Sequence, residues 1–382
     1  MDKESIDIEK EQQIMRQKIQ VINDSGIFNR LYEKLSSFSN EEIRTNPEEN
    51  IALMGRVKKP ESACEKISRQ GLPASRIYDL IGFMYVVDLP EQYTKAKQTL
   101  MDGMPKDSFI HDFDGSLPEN NGYSSFHMGV QSDKIIDDVE YSKLGGISTE
   151  IQLKTYGMYI AQEVTHDSIY KNPSLSKADK DNMQTVMFPM IEKIINIQKY
   201  QEHLSTTLDV NKREEYSQRI FSEEQDILKL KMDHKDFINQ NSEQVQDVLN
   251  EFILVQYMEK IKNDPLLAME NIDKNQVKIN CRKAIKVLAR ADGELTMSAS
   301  KPTGFRNIDE IYNQIMNCSI EEIQQLSLRE NEHENTPKLL ESAVECSKDE
   351  ISSSDIGTMV NTFKSKTQER DTQDRENNEE KR

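Results

Sequence analysis

The sequence predicts an α+β fold in which a mixed five-stranded sheet flanked by helices is followed by a mostly α-helical C-terminal region. Three observations carry this. Ile14, Ile19, Ile22, Ile27, Leu31 and Leu35 recur at helical spacing among Glu, Gln and Lys. Between Ile51 and about Thr155, short apolar runs with alternation sit between turn residues. After Tyr156 the helical period returns, and the chain ends on a stretch, Glu369 to Arg382, without an apolar residue.

The elements follow in order. Residues 1–48 are expected to form a helical segment that packs on the domain after it. Within 49–200 the expected strands are Ile51 to Met54, Ile77 to Val87, Phe109 to Asp114, Tyr123 to Val130 and Ile147 to Leu153, with helices at Ser62 to Gln70 and Pro90 to Leu100 separating the first three. Helical patterns then cover Met158 to Tyr170, Lys177 to Tyr200 and further segments to about Met258, where Val245, Val248, Leu249 and Phe252 make a stripe of the packing kind. Residues 201–330 are read as a helical region, with candidates at 275–291 and 307–326 around turns at Asp292-Gly293 and Ser300 to Gly304. Residues 331–382 read as a polar, disordered tail.

Composition narrows the function. The chain has 382 residues and a formal net charge of -18. That acidity weighs against a broad nucleic-acid footprint, tRNA included, and against an anionic membrane surface, while leaving room for a local basic pocket. Cys64, Cys281, Cys318 and Cys346 are scattered, with no close pair of the metal-binding kind, which fits reduced thiols. The N-terminus lacks the basic start and apolar stretch of a signal peptide, and the longest apolar run is broken by Asp79 and Asp88. The expectation is a soluble, cytoplasmic protein without a membrane span.

Against that acidic background, one cationic stretch stands out. Gly55-Arg56-Val57-Lys58-Lys59-Pro60-Glu61-Ser62 follows an apolar run and reads as a strand end, a loop and a helix start. Arg56 and Lys58 share a side in extended backbone, and Ser62 and Lys66 stack on one helical face, so the four can converge on a phosphate. A solvated surface loop is the other reading. Asp79, read as lying inside an apolar strand, needs a cation or a metal ion to compensate its carboxylate. Glu150, Gln152 and Lys154 share one face of the last strand, with Ile151 and Leu153 on the other. Two carboxylates on separate strands beside a cationic loop are the parts that hold a nucleotide with Mg²⁺. After the Asn121-Gly122 turn, Tyr123, Ser125 and His127 point to one side; Tyr123 can stack on a base or cover the core.

Taken in order, Gly55-Arg56-x-Lys58 with Ser62 and Lys66, Ile77-Tyr78-Asp79-Leu80, Asn121-Gly122-Tyr123-x-Ser125-x-His127, Glu150-Ile151-Gln152-Leu153-Lys154-Thr155 and Thr165-His166-Asp167-x-x-Tyr170-Lys171 resemble the motifs of the RelA/SpoT alarmone synthetase domain. The resemblance covers roughly residues 25 to 200 and looks like the small alarmone synthetases and their toxin relatives. It implies a nucleotidyltransferase-like fold and transfer of pyrophosphate from ATP to a ribose 3′-hydroxyl, usually of GDP or GTP, with release of AMP. It would place Arg56, Lys58, Ser62 and Lys66 on the ATP phosphates and Asp79 and Glu150 on Mg²⁺, with Glu150 also deprotonating the acceptor. Tyr123 would stack on the acceptor base, and His127, Gln152 and Lys154 would lie at the acceptor nucleotide. A homo-oligomer is a further expected partner.

The departures fall on one side of the site. Met84 stands where the family strand has Arg, and Asp112 and Glu119 stand in a loop where lysines are expected. Lys106 is the nearest substitute cation. Alternatives therefore stay open: a toxin-type enzyme acting on tRNA 3′ ends or adenine nucleotides, a degenerate nucleotide-sensing or interaction protein, a His-Asp phosphohydrolase using His111-Asp112 or His166-Asp167, or a metal site at Asp112 and Asp114.

Overall fold

A computed structural model of the chain describes residues 7–39, 43, 51–114, 125–136, 147–264, 272–296 and 308–329. Tyr123, Glu119 and the tail beyond residue 330 lie outside the described residues. The chain divides into two compact units, Met1–Tyr159 and Ile160–Arg382.

The first unit opens with two helices, α1 (Ile8–Ser25) and α2 (Ile27–Phe38). Asp7 caps α1 by accepting from the Lys10 N–H at 3.2 Å. Gly26, at φ 68°, separates the two, since a left-handed residue ends one helix and glycine takes that conformation without a Cβ penalty. The sheet follows as β1 (Ile51–Val57), β2 (Ile81–Val87), β3 (Phe109–Asp114), β4 (Phe126–Gln131) and β5 (Ser148–Thr155), in the spatial order β1-β2-β5-β4-β3. Only the β2/β5 pair is parallel, so the sheet is mixed, as expected. Helices α3 (Pro60–Gln70) and α4 (Pro90–Gly103) each begin on a proline, whose missing N–H costs a first turn nothing. A short helix, α5 (Ser132–Ile136), follows β4.

The expected strand from Ile77 starts later, at Ile81. The β1–β2 ladder ends at the Val57–Ile81 pair, and one last bond from the Lys58 N–H to the Leu80 carbonyl, at 2.8 Å, holds the approach. Asp79 is therefore in an irregular segment before the strand rather than inside it. A carboxylate in the strand interior would be stranded among apolar neighbours, whereas here it reaches two lysines.

Cross-strand pairing sorts the sheet into two faces. Gly55, Phe83, Ile151 and Met128 form one row, and Leu53, Tyr85, Leu153 and Phe126 the next. Phe83, Tyr85, Ile151, Leu153, Met128 and Phe126 are all buried. Each contributes roughly 1.5–3 kcal/mol by leaving water. Helix α2 covers this face: Phe28 stacks on Phe83 at 5.3 Å, and the Tyr85 hydroxyl donates to the Leu35 carbonyl at 2.8 Å. Gly55 allows that approach, because a Cβ there would lie 2.6 Å from the Phe83 ring. Helix α1 is tied to α3 by Gln12, which donates to Ser68 Oγ at 2.8 Å, and Glu11 accepts from the Ala74 N–H at 2.7 Å.

The second unit is helical. It holds a π-type turn at His166–Tyr170, the 30-residue α7 (Lys177–Thr206) and the 24-residue α8 (Val210–Asp233), with α6 (Tyr156–Thr165) leading into it. Lys193 of α7 clamps α8 through Glu223 at 2.8 Å and Asp226 at 2.7 Å. Then come α9 (Lys235–Gln240), α10 (Ser242–Asn263), α11 (Lys274–Thr296), α12 (Ile308–Asn317) and α13 (Ile320–Leu328). The stripe Val245, Val248, Leu249 and Phe252 is buried in α10, as packing requires. The expected turn at Asp292-Gly293 is instead continuous helix to Thr296. A lone glycine costs a helix only about 1 kcal/mol, which does not stop one. Among the described residues no helix is long and apolar enough to cross a membrane.

Candidate functional site

The other face of the sheet carries most of the candidate site residues. Its first row is Arg56, Gly82, Glu150 and Gly129; its second is Met54, Met84, Gln152 and His127. Cross-strand register and strand parity together put the expected Arg56, Glu150, Gln152 and His127 on one face. The two glycines leave the backbone bare on either side of Glu150.

At the end of the sheet where β1 leaves and β2 enters, Asp79 is gripped twice. Lys58 hydrogen-bonds its Oδ2, and Lys66, from the second turn of α3, brings Nζ to 3.1 Å from Oδ1. The Lys66 contact is an ion pair only, since Oδ1 is buried and has no hydrogen bond of good geometry. Burial works against ionisation of Asp79, but the hydrogen bond from Lys58 and the charges of Lys58 and Lys66 outweigh it and hold the carboxyl below the usual aspartate range. Arg56 lies alongside, its side chain over Gly82, and Ser62 is exposed on α3.

One strand further in, Glu150 is held by an imidazole and an amide. His127 Nδ1 sits 3.1 Å from Oε1, and Gln152 Nε2 donates to Oε2 at 2.7 Å. Burial again opposes ionisation, and the bonds from His127 and Gln152 prevail, so Glu150 is also held below its ordinary range. Asp79 acts on Glu150 in the opposite sense, as a like charge does. Both groups are ionised at neutral pH.

The remaining expectations divide. Gln152 bonds directly to Glu150, and Lys154, on the same face, is buried at 3 % exposure. Lys106 lies in a turn just before Phe109, and Phe109 pairs with Val130, at the far end of the β3–β4 ladder from Phe126, so it does not stand in for a cation near His127 and Gln152. Tyr123 and Glu119 are outside the described residues, as are the side chains of His111, Asp112 and Asp114. His166 Nδ1 and Asp167 Oδ1 are 3.3 Å apart in the second unit, where Lys171 also pairs with Asp167. Sequence reading missed Met54 and Gly129. Counting in twos from Arg56 and Glu150, once the register is known, finds both.

The carboxylates suit a magnesium ion. Mg²⁺ uses one or two protein carboxylates and completes its shell with substrate phosphates and water. Asp79 Oδ1, buried and without a hydrogen bond, and Glu150, on the same face of the sheet, are two carboxylates that could serve in this way. Among the described residues there is no cluster of three or more His, Cys, Asp or Glu that would hold a metal unaided.

Residues 55–174 match the family described as a region found in RelA / SpoT proteins. No curated protein matches the chain. Among solved structures, small alarmone synthetase 1 from Bacillus subtilis is 16% identical, covering 51% of this chain and 97% of its own, with a TM-score of 0.34. Small alarmone synthetase 2 from Bacillus subtilis is 22% identical over 46% of this chain and 97% of its own, at a TM-score of 0.34. A GTP pyrophosphokinase family protein from Streptococcus pneumoniae is 20% identical over 47% and 89%, at 0.33. The segment that brings Lys58, Lys66 and Asp79 to one end of the sheet face, with Glu150 on the same face, lies within the part of the chain that matches this region of RelA / SpoT proteins.

Proposed function

We propose that the protein is an ATP-dependent pyrophosphokinase that transfers the β,γ-pyrophosphate of ATP to a ribose 3′-hydroxyl, guanine nucleotides being the first acceptors to test. The observation that supports this best is the pairing of two ionised carboxylates, Asp79 and Glu150, with Lys58 and Lys66 at one end of the same face, inside the RelA/SpoT match.

In this reading Arg56, Lys58, Ser62 and Lys66 bind the donor phosphates, and Lys58 and Lys66 exchange Asp79 for them as ATP enters. Asp79 and Glu150 would hold Mg²⁺, which supplies charge neutralisation to the β- and γ-phosphates when bound. Glu150 also orients the acceptor hydroxyl and takes its proton. The 3′-oxygen bonds to the β-phosphorus as the bond from that phosphorus to the α–β bridging oxygen breaks, and AMP leaves with the electron pair. Little covalent help is needed; the protein contributes positioning and charge. Tyr123 would stack on the acceptor base.

The test is incubation of the purified protein with labelled ATP, Mg²⁺ and a panel of nucleotide acceptors. AMP release that depends on both acceptor and metal, and that falls at least about 100-fold in Asp79→Ala, is the expected result. No AMP with any acceptor, or an Asp79→Ala variant as active as the parent, overturns the reading.

A further inference from the structure

Resting on the pyrophosphate-transfer reading, we infer that the backbone at Gly82 is a further part of the site: it is the bare floor over which the phosphoryl group in transit lies, between Arg56 and Glu150. Gly82 belongs to β2 and is paired on both sides, with Arg56 of β1 and with Glu150 of β5, in unbroken register. A glycine weakens such a strand, because it gives up more backbone freedom than other residues and has no side chain to pack. Where one occurs it marks a bulge, a barrel corner, or a close approach by a ligand or another backbone. The register leaves no bulge, and an open sheet with β1 and β3 at its edges has no barrel corner. Packing is not the reason either. Among the described residues a Cβ at Gly82 would meet only the Arg56 side chain, 3.9 Å from Cγ and 4.0 Å from Nε, which is ordinary contact. Gly55 and Gly103 are the opposite case, since a Cβ there would lie 2.6 Å from the Phe83 ring and 2.3 Å from the Phe38 ring.

What remains is the approach of a ligand, and the place of Gly82 in the row indicates which part of it. Gly82 is half-buried and open to solvent, whereas Gly129, on the far side of Glu150, is buried, so of the two glycines flanking Glu150 it is Gly82 that a ligand reaches. Neighbouring strands lie about 4.8 Å apart, which sets the Arg56 and Glu150 backbones about 10 Å apart with Gly82 midway. In the proposed reaction Arg56 binds donor phosphates and Glu150 takes the acceptor proton, so the β-phosphorus that changes partners lies between them. There its bond to the α–β bridging oxygen breaks as the bond to the 3′-oxygen forms, AMP leaves with the electron pair, and the hydroxyl proton passes to Glu150. A methyl group standing on residue 82 would lift the reacting group off the sheet by about 1 Å or more, and a misplacement of that size costs about 100-fold in rate.

The test compares the full-length parent, Gly82→Ala and Gly55→Ala by thermal melting and by AMP release with ATP, Mg²⁺ and whichever nucleotide acceptor the parent uses best. Gly82→Ala is also made in an Arg56→Ala background. The expected result is that Gly82→Ala melts at or above the parent's temperature, unlike Gly55→Ala, while its kcat falls about 100-fold. The same fold-loss is expected in the Arg56→Ala background, because the methyl group obstructs the ligand and not the arginine. A Gly82→Ala variant with the parent's kcat overturns the inference and leaves pyrophosphate transfer intact. A melting temperature lowered as far as in Gly55→Ala assigns the glycine to packing and overturns it as well. A loss that vanishes in the Arg56→Ala background means that the methyl acts by displacing Arg56, which also overturns the floor. No AMP from the parent with any acceptor removes the enzymatic reading and this inference with it.

Discussion

The Asp79 corner and the Glu150 row solve one problem by different means. Each keeps a mostly buried carboxylate ionised, but Asp79 does so with two ammonium groups, while Glu150 uses an imidazole and an amide. The difference matters when a substrate arrives. Lysines that hold Asp79 can be redirected to phosphates, because an ammonium is a mobile point charge on a flexible stem. Gln152 and His127 lie on neighbouring strands of one sheet and fix the direction of the Glu150 oxygens instead. One end is built to exchange partners, the other to stay still.

The sharpest break of that contrast is Asp79→Asn, which leaves Lys58 and Lys66 facing each other without their carboxylate. Removing one partner of a fully buried pair costs about 3–5 kcal/mol, and the partial exposure here reduces that to about 1–2 kcal/mol. The loss should depend on pH. Because the folded-state pKa of Asp79 is depressed, its stabilisation is fully present above the unfolded value of about 3.9 and fades as pH falls through the folded one. Urea unfolding of parent and variant should therefore differ at pH 7, and the gap should shrink progressively as pH falls below about 4. A gap that is unchanged at low pH would mean the lysines are not what holds Asp79.

Gly55→Ala probes the opposite face of the same strand. A Cβ there would lie 2.6 Å from Phe83, so the Phe28–Phe83 stack must shift, at about 1–3 kcal/mol of stability. The nucleotide chemistry should survive near room temperature, because Gly55 points away from Arg56 and Glu150. The two faces are separable only if the melting temperature drops while kcat holds.

The smallest effect is expected from Gln152→Leu. Glu150 Oε2 loses its donor at 2.7 Å while His127 still holds Oε1, so a fall of about 10-fold in kcat with little change in the KM for ATP is expected. If the KM for ATP rises instead, Gln152 belongs to the donor end and the contrast between the two regions is misdrawn.

Most of the architecture was legible from local signals. The alternation Glu150-Ile151-Gln152-Leu153 placed its polar residues on one face without any neighbour being known, and Pro60 and Pro90 marked two helix starts. The ordered motifs singled out Arg56, Lys58, Ser62 and Lys66. Local signals failed where a partner strand decides the outcome. The apolar run from Ile77 looked like strand throughout, yet the ladder with β1 ends at Val57 and leaves Asp79 outside it. Asp292-Gly293 looked like a turn and is helix.

By itself the sequence determined the residue types available: a cationic stretch at Arg56 to Lys66, carboxylates at Asp79 and Glu150, and a run between Lys106 and Lys134 free of basic side chains. Such facts are covalent and need no fold. Only the tertiary structure decided who faces whom. The partnership of Lys58 and Lys66 with Asp79 depends on where one strand stops and a helix begins. The row Met54, Met84, Gln152 and His127 exists because four strands pair in one register, and a one-residue slip of any of them would turn its side chain to the other face.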